Sequence, residues 1–241
     1  MTYYTAVITG GSKGIGGDLA KKMLERGYRV ISVAIDDPEF THERFEHIHA
    51  DLFDAQAATD VAADIAGRHE VTHLISNAGV IRPNPVEQAD PGDVVALAQL
   101  QLSTPTTLLQ AFLPAMKARG FGRVVFNGSR AALGAATRSA YAANKAGIIG
   151  LARTWALELG PHGITVNVVA PGPIRTDNFW SIIPRDSAQE AEIATRVPVR
   201  RLGEVDDVSR AFLFFADPEN GFVNGQTLYV CGGSSIGSVP V

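Results

Sequence analysis

The sequence of 241 residues contains a single cysteine, Cys231. One cysteine cannot form an internal disulfide, and such scarcity is typical of proteins from reducing compartments. Positive charge is not in excess either, because 21 Lys and Arg face 25 Asp and Glu, for a formal net charge of −4. This balance argues against a basic surface for nucleic acid or for an anionic membrane. We expect neither partner.

Long apolar runs are also missing. No stretch approaches the roughly 20 apolar residues that a membrane-spanning helix requires. The first residues, 1–4, have no basic start and lead directly into an apolar run, so we expect no targeting segment. No Pro/Ser-rich linker, low-complexity tract or repeat divides the chain. We therefore expect one cytoplasmic domain over residues 1–241.

Short β-rich runs alternate with longer segments rich in Ala and Leu. The predicted strands are 6–9, 29–34, 45–49, 72–76, 123–127, 165–169 and 227–230. The predicted helices are 15–26, 55–67, 91–119, 139–159 and 205–216, while 36–44 allows at most a helical turn or two. Such alternation predicts an α/β fold, a Rossmann-type doubly wound, mostly parallel seven-stranded sheet with helices on both faces. Residues 177–200 interrupt the pattern and are predicted to form a lid over a ligand.

Two ionisable side chains stand four residues apart near the start of the longest proline-free predicted helix. Tyr141 and Lys145 share one helix face at this spacing, with their β-carbons about 5–6 Å apart. Tyrosine has an ordinary pKa of about 10, and a neighbouring ammonium lowers that pKa toward neutrality. The pair is therefore a candidate general acid–base unit. The alternative is a half-buried tyrosine beside a solvated lysine.

A glycine-rich turn connects the first predicted strand to the first helix. Its sequence is Gly10-Gly11-Ser12-Lys13-Gly14-Ile15-Gly16. Glycines there permit a tight turn and close approach of a pyrophosphate to the amides of a helix N-terminus. The spacing differs from G-x-G-x-x-G, so that fingerprint is not present. A glycine turn that binds nothing is the alternative.

The same turn also matches G-x-S-x-G, the nucleophile elbow of serine hydrolases, with Ser12 as the nucleophile. Such an enzyme needs a following acid and then a histidine, and His162 is the only histidine late in the chain. The turn follows the first strand, so no earlier loop can complete an oxyanion hole. These observations disfavour the hydrolase.

Further motifs follow the turn in a defined order. They are Asp51-Leu52 after the third strand, Asn77-Ala78-Gly79 after the fourth, Ser129 after the fifth, Tyr141 with Lys145, and the segment Pro171-Gly172-Pro173-Ile174-Arg175-Thr176. Together with the turn, they resemble the short-chain dehydrogenase/reductase family over nearly the whole chain. The resemblance is to its compact single-domain branch, similar to the 3-oxoacyl-acyl-carrier-protein reductases.

The resemblance implies reversible hydride transfer between a nicotinamide cofactor and an alcohol/carbonyl pair. It implies that Tyr141 exchanges the proton, that Lys145 lowers the pKa of Tyr141 and bonds the nicotinamide ribose, and that Ser129 orients the carbonyl. The cofactor residues that it implies are Gly10, Ser12, Lys13, Gly14, Ile15, Gly16, Ala34, Asp51, Leu52, Asn77, Ala78, Gly79, Tyr141, Lys145, Pro171, Gly172, Ile174 and Thr176.

Two positions depart from the family pattern. Gln101 occupies the place of an asparagine that supports a proton-relay water, and its longer side chain keeps the same amide. The alternative is that Gln101 merely faces a neighbouring helix. Ser129 stands one residue closer to Tyr141 than is usual, and Gly128 occupies the usual place. We predict that Ser129 is the hydroxyl donor, because a loop absorbs a deletion more easily than the chemistry loses its donor.

The choice between NADP and NAD rests on the end of the second strand. Ala34 stands where NAD-using relatives carry an aspartate, and Lys13 offers a cation for a 2′-phosphate. Both observations favour NADP. Asp36 and Asp37 would repel that phosphate if turned inward, or they form a solvated turn before Pro38.

Substrate, metal and assembly are less defined by the sequence. Phe179 and Trp180 suggest an apolar substrate body, and Arg82 and Arg130 are candidates for binding an anion. Lid arginines at 185, 196, 200 and 201 are further candidates, although most such side chains face water. His42, His47 and His49 cluster, but we predict no metal site. The family resemblance implies a homodimer or homotetramer through the fourth and fifth helices and the last strand.

The sequence leaves three function classes in order of preference. The first is an NAD(P)-dependent oxidoreductase acting on a secondary alcohol or ketone, sugar, hydroxy acid or 3-oxoacyl group. The second is a catalytically idle dinucleotide-binding sensor, suggested by Gln101 and the shortened Ser129 loop. The third is the hydrolase.

Overall fold

A computed structural model describes residues 4–236 of the chain. Its centre is a seven-stranded sheet in the order β3-β2-β1-β4-β5-β6-β7. The strands are β1 (Thr5–Thr9), β2 (Arg29–Ala34), β3 (Phe45–His49), β4 (His73–Ser76), β5 (Gly122–Asn127), β6 (Ile164–Pro171) and β7 (Thr227–Val230). All six pairings are parallel. The predicted fold class, a doubly wound α/β sheet, is confirmed.

Helices connect these strands. They are α1 (Gly14–Glu25), α2 (Ala55–Arg68), α3 (Pro91–Ala98), α4 (Thr104–Arg119), α5 (Ser139–Leu159), α6 (Asp177–Trp180), α7 (Ala188–Arg196) and α8 (Val205–Ala216). The predicted helix 91–119 consists of three consecutive helical segments: α3, a five-residue π-helix (Gln99–Ser103) and α4. Residues 36–44 contain no helix. Helices α6 and α7 both lie within the predicted lid.

The core lies on both faces of the sheet because strand side chains alternate in direction. On one face, Val7, Leu74 and Val124 pack beneath α2, α4 and α5. On the other face, Ala6 and Ile8 pack beneath α1 and α8. Strand β1 is buried along its whole length, as expected for a central parallel strand.

The order of the strands reverses between β1 and β4, which lie side by side. Thr9 at the end of β1 is opposite Ser76 at the end of β4, and Ser76 is opposite Phe126 near the end of β5. In open α/β sheets, ligands bind at this reversal, outside the carboxyl ends of the strands. The glycine turn, the segment after β4 and the loop after β5 therefore meet at one edge.

Between residues 4 and 236, no helix is both long enough and apolar enough to span a bilayer. The expectation about a targeting segment concerns residues 1–3 in particular, and these lie outside the described residues.

Candidate functional site

Tyr141 and Lys145 occupy one face of α5, as predicted. The Lys145 Nζ donates a hydrogen bond to the backbone oxygen of Asn127 at 2.6 Å and lies 5.4 Å from the centroid of the Tyr141 ring. Lys145 is only 2% exposed, and its burial lowers the pKa of Lys145 to about 7. The amine of Lys145 therefore gains and loses its proton near neutral pH. Its Nζ has one backbone acceptor, the Asn127 oxygen.

The Tyr141 phenol is controlled mainly by its burial. Burial raises the pKa of Tyr141, while a hydrogen bond with Ser129 and the charge of Arg138 lower it. The prediction that Lys145 also lowers this pKa stays a prediction. The Lys145 Nζ faces the Asn127 oxygen, and burial favours the neutral form of its amine.

Ser129 is the hydroxyl that faces Tyr141, and Gly128 offers none. The Ser129 Oγ accepts a hydrogen bond from the Ala131 amide at 3.0 Å. Because this contact uses a lone pair, the hydroxyl proton stays available for donation. Ser129 precedes a short 3₁₀ helix, Arg130–Leu133, so the deletion in this loop leaves the serine in place.

Gln101 lies in the π-helix, behind the segment that follows β4. It is 1% exposed, and neither its amide oxygen nor its amide nitrogen finds a hydrogen-bond partner within the described residues. A β-carbon on Gly79 would stand 3.5 Å from Gln101 Nε2 and 3.6 Å from Lys145 Nζ. The amide and the ammonium thus approach the same glycine. A buried amide without a partner is costly, and π-bulges are frequent at functional sites.

A cleft of 440 Å³ runs along the carboxyl edge of the sheet. Fourteen of the predicted cofactor residues line it: Gly10, Ser12, Lys13, Gly14, Ile15, Ala34, Asp51, Leu52, Asn77, Ala78, Gly79, Tyr141, Lys145 and Thr176. Pro171, Gly172 and Ile174 instead line a neighbouring cavity, and Gly16 lines neither. The role of Gly16 is packing, since a β-carbon there would lie 2.0 Å from the Gly10 oxygen.

The glycine turn fits a dinucleotide. Gly10 and Gly14 have φ angles of 65° and 58°, which favour glycine. A β-carbon at Gly14 would meet no atom within 4 Å, so the turn opens freely onto the cleft. Asn77 fixes the turn by donating to the oxygens of Thr9 and Gly10 at 3.1 and 3.0 Å. The first amides of α1 are thus presented to the cleft, where a pyrophosphate finds a complementary site.

Ser12 does not have the geometry of a hydrolase nucleophile. It is 3% exposed within the turn, whereas an elbow serine must project into the site. His162 precedes β6, so it lies at the amino edge of the sheet, opposite the edge that carries Ser12.

Lys13 and Asp36 form an ion pair of 3.0 Å across the cleft wall, with side chains 44% and 56% exposed. Both residues line the cleft. Of the two alternatives left open by the sequence, Asp36 is therefore turned toward the cleft. The sequence left the direction of Asp36 open, because nothing local fixes how the chain after β2 folds back.

A second cavity of 560 Å³ meets the first at Tyr141. Ser129, Arg130 and Phe179 line it, together with apolar lid residues. Two other predicted substrate residues do not line it. Arg82 pairs with Asp93 at 2.6 Å, and the Trp180 ring lies outside the cavity wall under the Arg185 guanidinium, 3.7 Å away. A four-residue helix cannot present both Phe179 and Trp180 to one side.

Sequence reasoning missed two asparagines that line both cavities, Asn127 and Asn178. Asn127 accepts from Lys145 and donates to Asn77 Oδ1 at 2.9 Å. Asn178 belongs to the lid and donates to the Gly79 oxygen at 3.0 Å. A polar residue at the end of β5 was a usable signal for Asn127; the contact of Asn178 is purely tertiary.

The predicted histidine cluster forms only in part. One ligand atom each from Asp37, His47 and His49 lies within 4.8 Å of the others, with His47 Nε2 3.9 Å from Asp37. His42 is outside this group and accepts from the Arg44 amide. The absence of a metal centre stays a prediction.

Comparisons with known proteins agree with this geometry. A family model described as enoyl-(acyl carrier protein) reductase matches residues 10–235. The chain is 35% identical over 243 residues to (2S)-[(R)-hydroxy(phenyl)methyl]succinyl-CoA dehydrogenase subunit BbsD of Thauera aromatica, covering 96% of each. It is 33% identical over 236 residues to 3-oxoacyl-[acyl-carrier-protein] reductase FabG of Salmonella typhimurium, covering 95% of this chain and 96% of the other.

A crystal structure described as an NAD(P)-dependent gluconate 5-dehydrogenase from Beutenbergia cavernae, with bound NADP, is similar in fold. It superposes with a TM-score of 0.89 at 33% identity, covering 95% of this chain and 96% of the other. The ordered motifs, the sheet and these matches lead to one conclusion: the chain belongs to the short-chain dehydrogenase/reductase family.

Proposed function

We propose that the protein is an NAD(P)-dependent oxidoreductase that interconverts a secondary alcohol and a ketone, on a sugar, hydroxy acid or 3-oxoacyl substrate. The observation that carries this proposal is the position of the Tyr141–Lys145 pair, at the point where the two cavities meet. The relatives support it, since a CoA-ester dehydrogenase, a 3-oxoacyl reductase and a gluconate dehydrogenase all interconvert such groups.

Tyr141 exchanges a proton with the substrate oxygen. Its hydroxyl lies beside Ser129, so both can bond one carbonyl oxygen placed between them. Tyr141 donates its proton as the carbonyl is reduced and accepts one as the alcohol is oxidised. Ser129 uses its free hydroxyl proton to orient the carbonyl and to stabilise charge on its oxygen.

Lys145, Asn127 and Gln101 form the path behind Tyr141. The backbone oxygen of Asn127 holds the Lys145 Nζ in place. Gln101 brings an amide to the same glycine that the Lys145 Nζ approaches. We assign Gln101 the support of a relay water, because its two unpartnered polar atoms then gain a partner.

The cleft would hold the nicotinamide cofactor, which supplies or accepts the hydride when bound. The glycine turn would face the pyrophosphate, Asp51 and Leu52 would border the adenine end, and Asn77-Ala78-Gly79 with Thr176 would border the nicotinamide end. We propose NADP as the preferred cofactor, supported by Lys13, by Ala34 at the end of β2, and by the NADP bound in the gluconate dehydrogenase structure.

We also propose a cytoplasmic homodimer or homotetramer and a single domain with a lid at 177–200. Exposed apolar side chains on α3 and α5, such as Val95 at 71% and Leu157 at 82%, support contact between copies. The idle sensor receives no support, because Ser129 and Tyr141 meet at the cavity despite the shortened loop.

The test is a panel of ketones, sugars, hydroxy acids and acyl thioesters, followed by nicotinamide absorbance with NADP(H) and NAD(H). We expect turnover of at least one class, with NADP(H) preferred. Tight cofactor binding without turnover of any class would favour the sensor, and ester cleavage without cofactor would favour the hydrolase.

A further inference from the structure

We propose that the substrate carries a carboxylate a few bonds from its reacting carbon, on an apolar body, and that Arg130 binds this carboxylate. The inference rests on the proposed function and deepens it, because it names the substrate class and the residue that selects it.

The charge of the second cavity is entirely positive. Its charged lining residues are Arg130, Arg138 and Arg196, and none of the described residues that line it is Asp, Glu, Lys or His. The chain as a whole has a net charge of −4. A cavity that gathers arginines within an acidic protein favours an anionic ligand, and guanidinium groups suit a carboxylate by forming paired hydrogen bonds.

Of these three arginines, Arg130 is the one without a partner among residues 4–236. Arg196 is exposed and pairs with Glu192 on α7. Arg138 donates to the Thr137 hydroxyl at 2.6 Å. Arg130 is half-buried, and across residues 4–236 its guanidinium makes no hydrogen bond, ion pair or ring contact. A half-buried guanidinium that lines a cavity without an acceptor is set to take one from a ligand.

The position of Arg130 limits where the anion can be. It follows Ser129 directly, so the two Cα atoms are about 3.8 Å apart, and the 3₁₀ helix that begins at Arg130 fixes its backbone. The carbonyl oxygen lies against Ser129 and Tyr141. The anion is therefore within one arginine side chain of the reacting carbon. A phosphate at the far end of a carrier arm does not meet this condition.

Most of the remaining wall is apolar, although Asn127, Thr176, Asn178 and Ser234 also line it. Ile81 lies on one side of the cavity, and Phe179, Ile182, Ile183, Ile193 and Val197 come from the lid region. The apolar part of the wall excludes water from an aliphatic or aromatic body. The cavity is thus suited to a hydrophobic hydroxy or oxo acid.

The experiment compares matched alcohols in the oxidative direction with NADP. The probes are 3-hydroxybutanoate, 3-hydroxyhexanoate and 3-hydroxy-3-phenylpropanoate, each beside its neutral amide and its CoA thioester. We expect wild-type kcat/KM to favour the best acid over its amide by at least about tenfold, the effect of one charged hydrogen bond. Arg130→Gln should lower kcat/KM for the acid by about 10- to 100-fold and change the amide by less than about threefold.

Two further variants serve as controls. Arg29→Gln removes the same charge at the opposite edge of the sheet, where the side chain is exposed, and should leave both kcat/KM values within about twofold. Arg130→Lys should retain part of the preference for the acid, because it keeps the charge but loses the paired geometry.

A measurement that needs no turnover completes the test. Calorimetry of 3-phenylpropanoate, which lacks the hydroxyl, should show binding to the wild-type protein with NADP and a loss of about tenfold or more in Arg130→Gln. The amide 3-phenylpropanamide should bind equally to both proteins.

Three results would overturn the proposal: equal losses on acid and amide in Arg130→Gln, a wild-type preference for the amide, or a CoA-thioester advantage that Arg130→Gln removes. The last result would assign Arg130 to the distant phosphates. If no probe is oxidised while calorimetry still shows carboxylate binding that depends on Arg130, the anion site stands, and the panel of ketones, sugars, hydroxy acids and acyl thioesters decides whether the proposed function has failed.

Discussion

The two edges of the sheet both bury ionisable side chains, but they treat them differently. At the amino edge, the ring of His73 contacts the Thr72 hydroxyl at 2.8 Å and the Ala216 oxygen at 2.9 Å. Arg123 beside it donates to the oxygens of Gly122, Pro218 and Asp217. At the carboxyl edge, Lys145 has one backbone acceptor and Gln101 has no partner in the described chain.

Shifted pKa values occur at both edges, so they do not by themselves identify the site. Burial lowers the pKa of His73 to about 3 and that of Lys145 to about 7. The difference lies in hydrogen bonding. At the amino edge, His73 and Arg123 find their hydrogen-bond partners within the protein and connect the strands to the end of helix α8. At the carboxyl edge, Lys145 and Gln101 keep hydrogen-bonding capacity for a ligand.

The largest effect is expected for Lys145→Met. Turnover should fall by about a thousandfold, as for the loss of a general acid–base partner. The free energy of unfolding at pH 7 should rise by about 1–3 kcal/mol, because a buried lysine with a lowered pKa disfavours folding at this pH. Steady-state kinetics and urea unfolding measure the two quantities. A variant that loses stability together with activity would show that Lys145 is a structural group.

His73 should give the opposite result. Its pKa in the folded protein, about 3, is below its ordinary value of 6.5, so the unfolded chain takes up the proton first. The contribution of neutral His73 to the free energy of unfolding is complete above pH 6.5. It is lost as the pH falls toward 3, by up to about 1.4 kcal/mol per pH unit.

Urea unfolding of wild type and His73→Gln at pH 7, 6, 5 and 4 tests this. As the pH falls, the free energy of unfolding of the wild type should decrease more steeply than that of the variant, and the difference in slope should correspond to about one bound proton. At pH 7 the kcat of the variant should equal that of the wild type. Parallel pH slopes would mean that His73 is not buried in its neutral form.

Gln101 should give an intermediate effect. Gln101→Leu should lower kcat by about tenfold through loss of the water site. Gln101→Asn, which keeps an amide, should stay within about threefold of wild type in kcat. Equal activity of the leucine and asparagine variants would remove Gln101 from the relay.

The smallest effect is expected at the Lys13–Asp36 pair. Asp36→Asn frees Lys13 and removes a negative charge from the cleft, so the kcat/KM ratio of NADP to NAD should rise about three- to fivefold, as for a solvent-exposed pair. Asp37→Asn is the matched control, because Asp37 is 94% exposed, and it should change the ratio by less than about twofold. If Asp37→Asn changed the ratio as much as Asp36→Asn, the effect would come from the overall negative charge near the cleft and not from the Lys13–Asp36 pair.

The sequence predicts well what depends on local pattern. The glycine turn, the strand ends and the Tyr141–Lys145 spacing are set within a few residues of the chain. The structure places them as predicted except for β6, which continues two residues beyond its predicted end at 169. The π-helix was not predictable, because one additional residue in a helical turn hardly alters the apolar periodicity.

The parts that depend on distant segments could not be predicted. The Asn178 contact with Gly79 joins residues 99 positions apart. Whether Arg130 forms an ion pair within residues 4–236 likewise depends on which acidic residues fold near it. Trp180 does not line the cavity, since composition does not reveal which way a short lid helix turns. Substrate selection therefore depends on contacts between distant segments, whereas the reaction is indicated by local motifs.

The most direct test of the reaction assigned to the carboxyl edge is Tyr141→Phe, measured by turnover and by NADPH fluorescence in parallel. The phenyl ring keeps the packing and removes only the proton donor, so kcat should fall by about a thousandfold while the NADPH Kd stays within about threefold. Near-normal turnover in this variant would contradict the assignment of Tyr141 as the general acid–base.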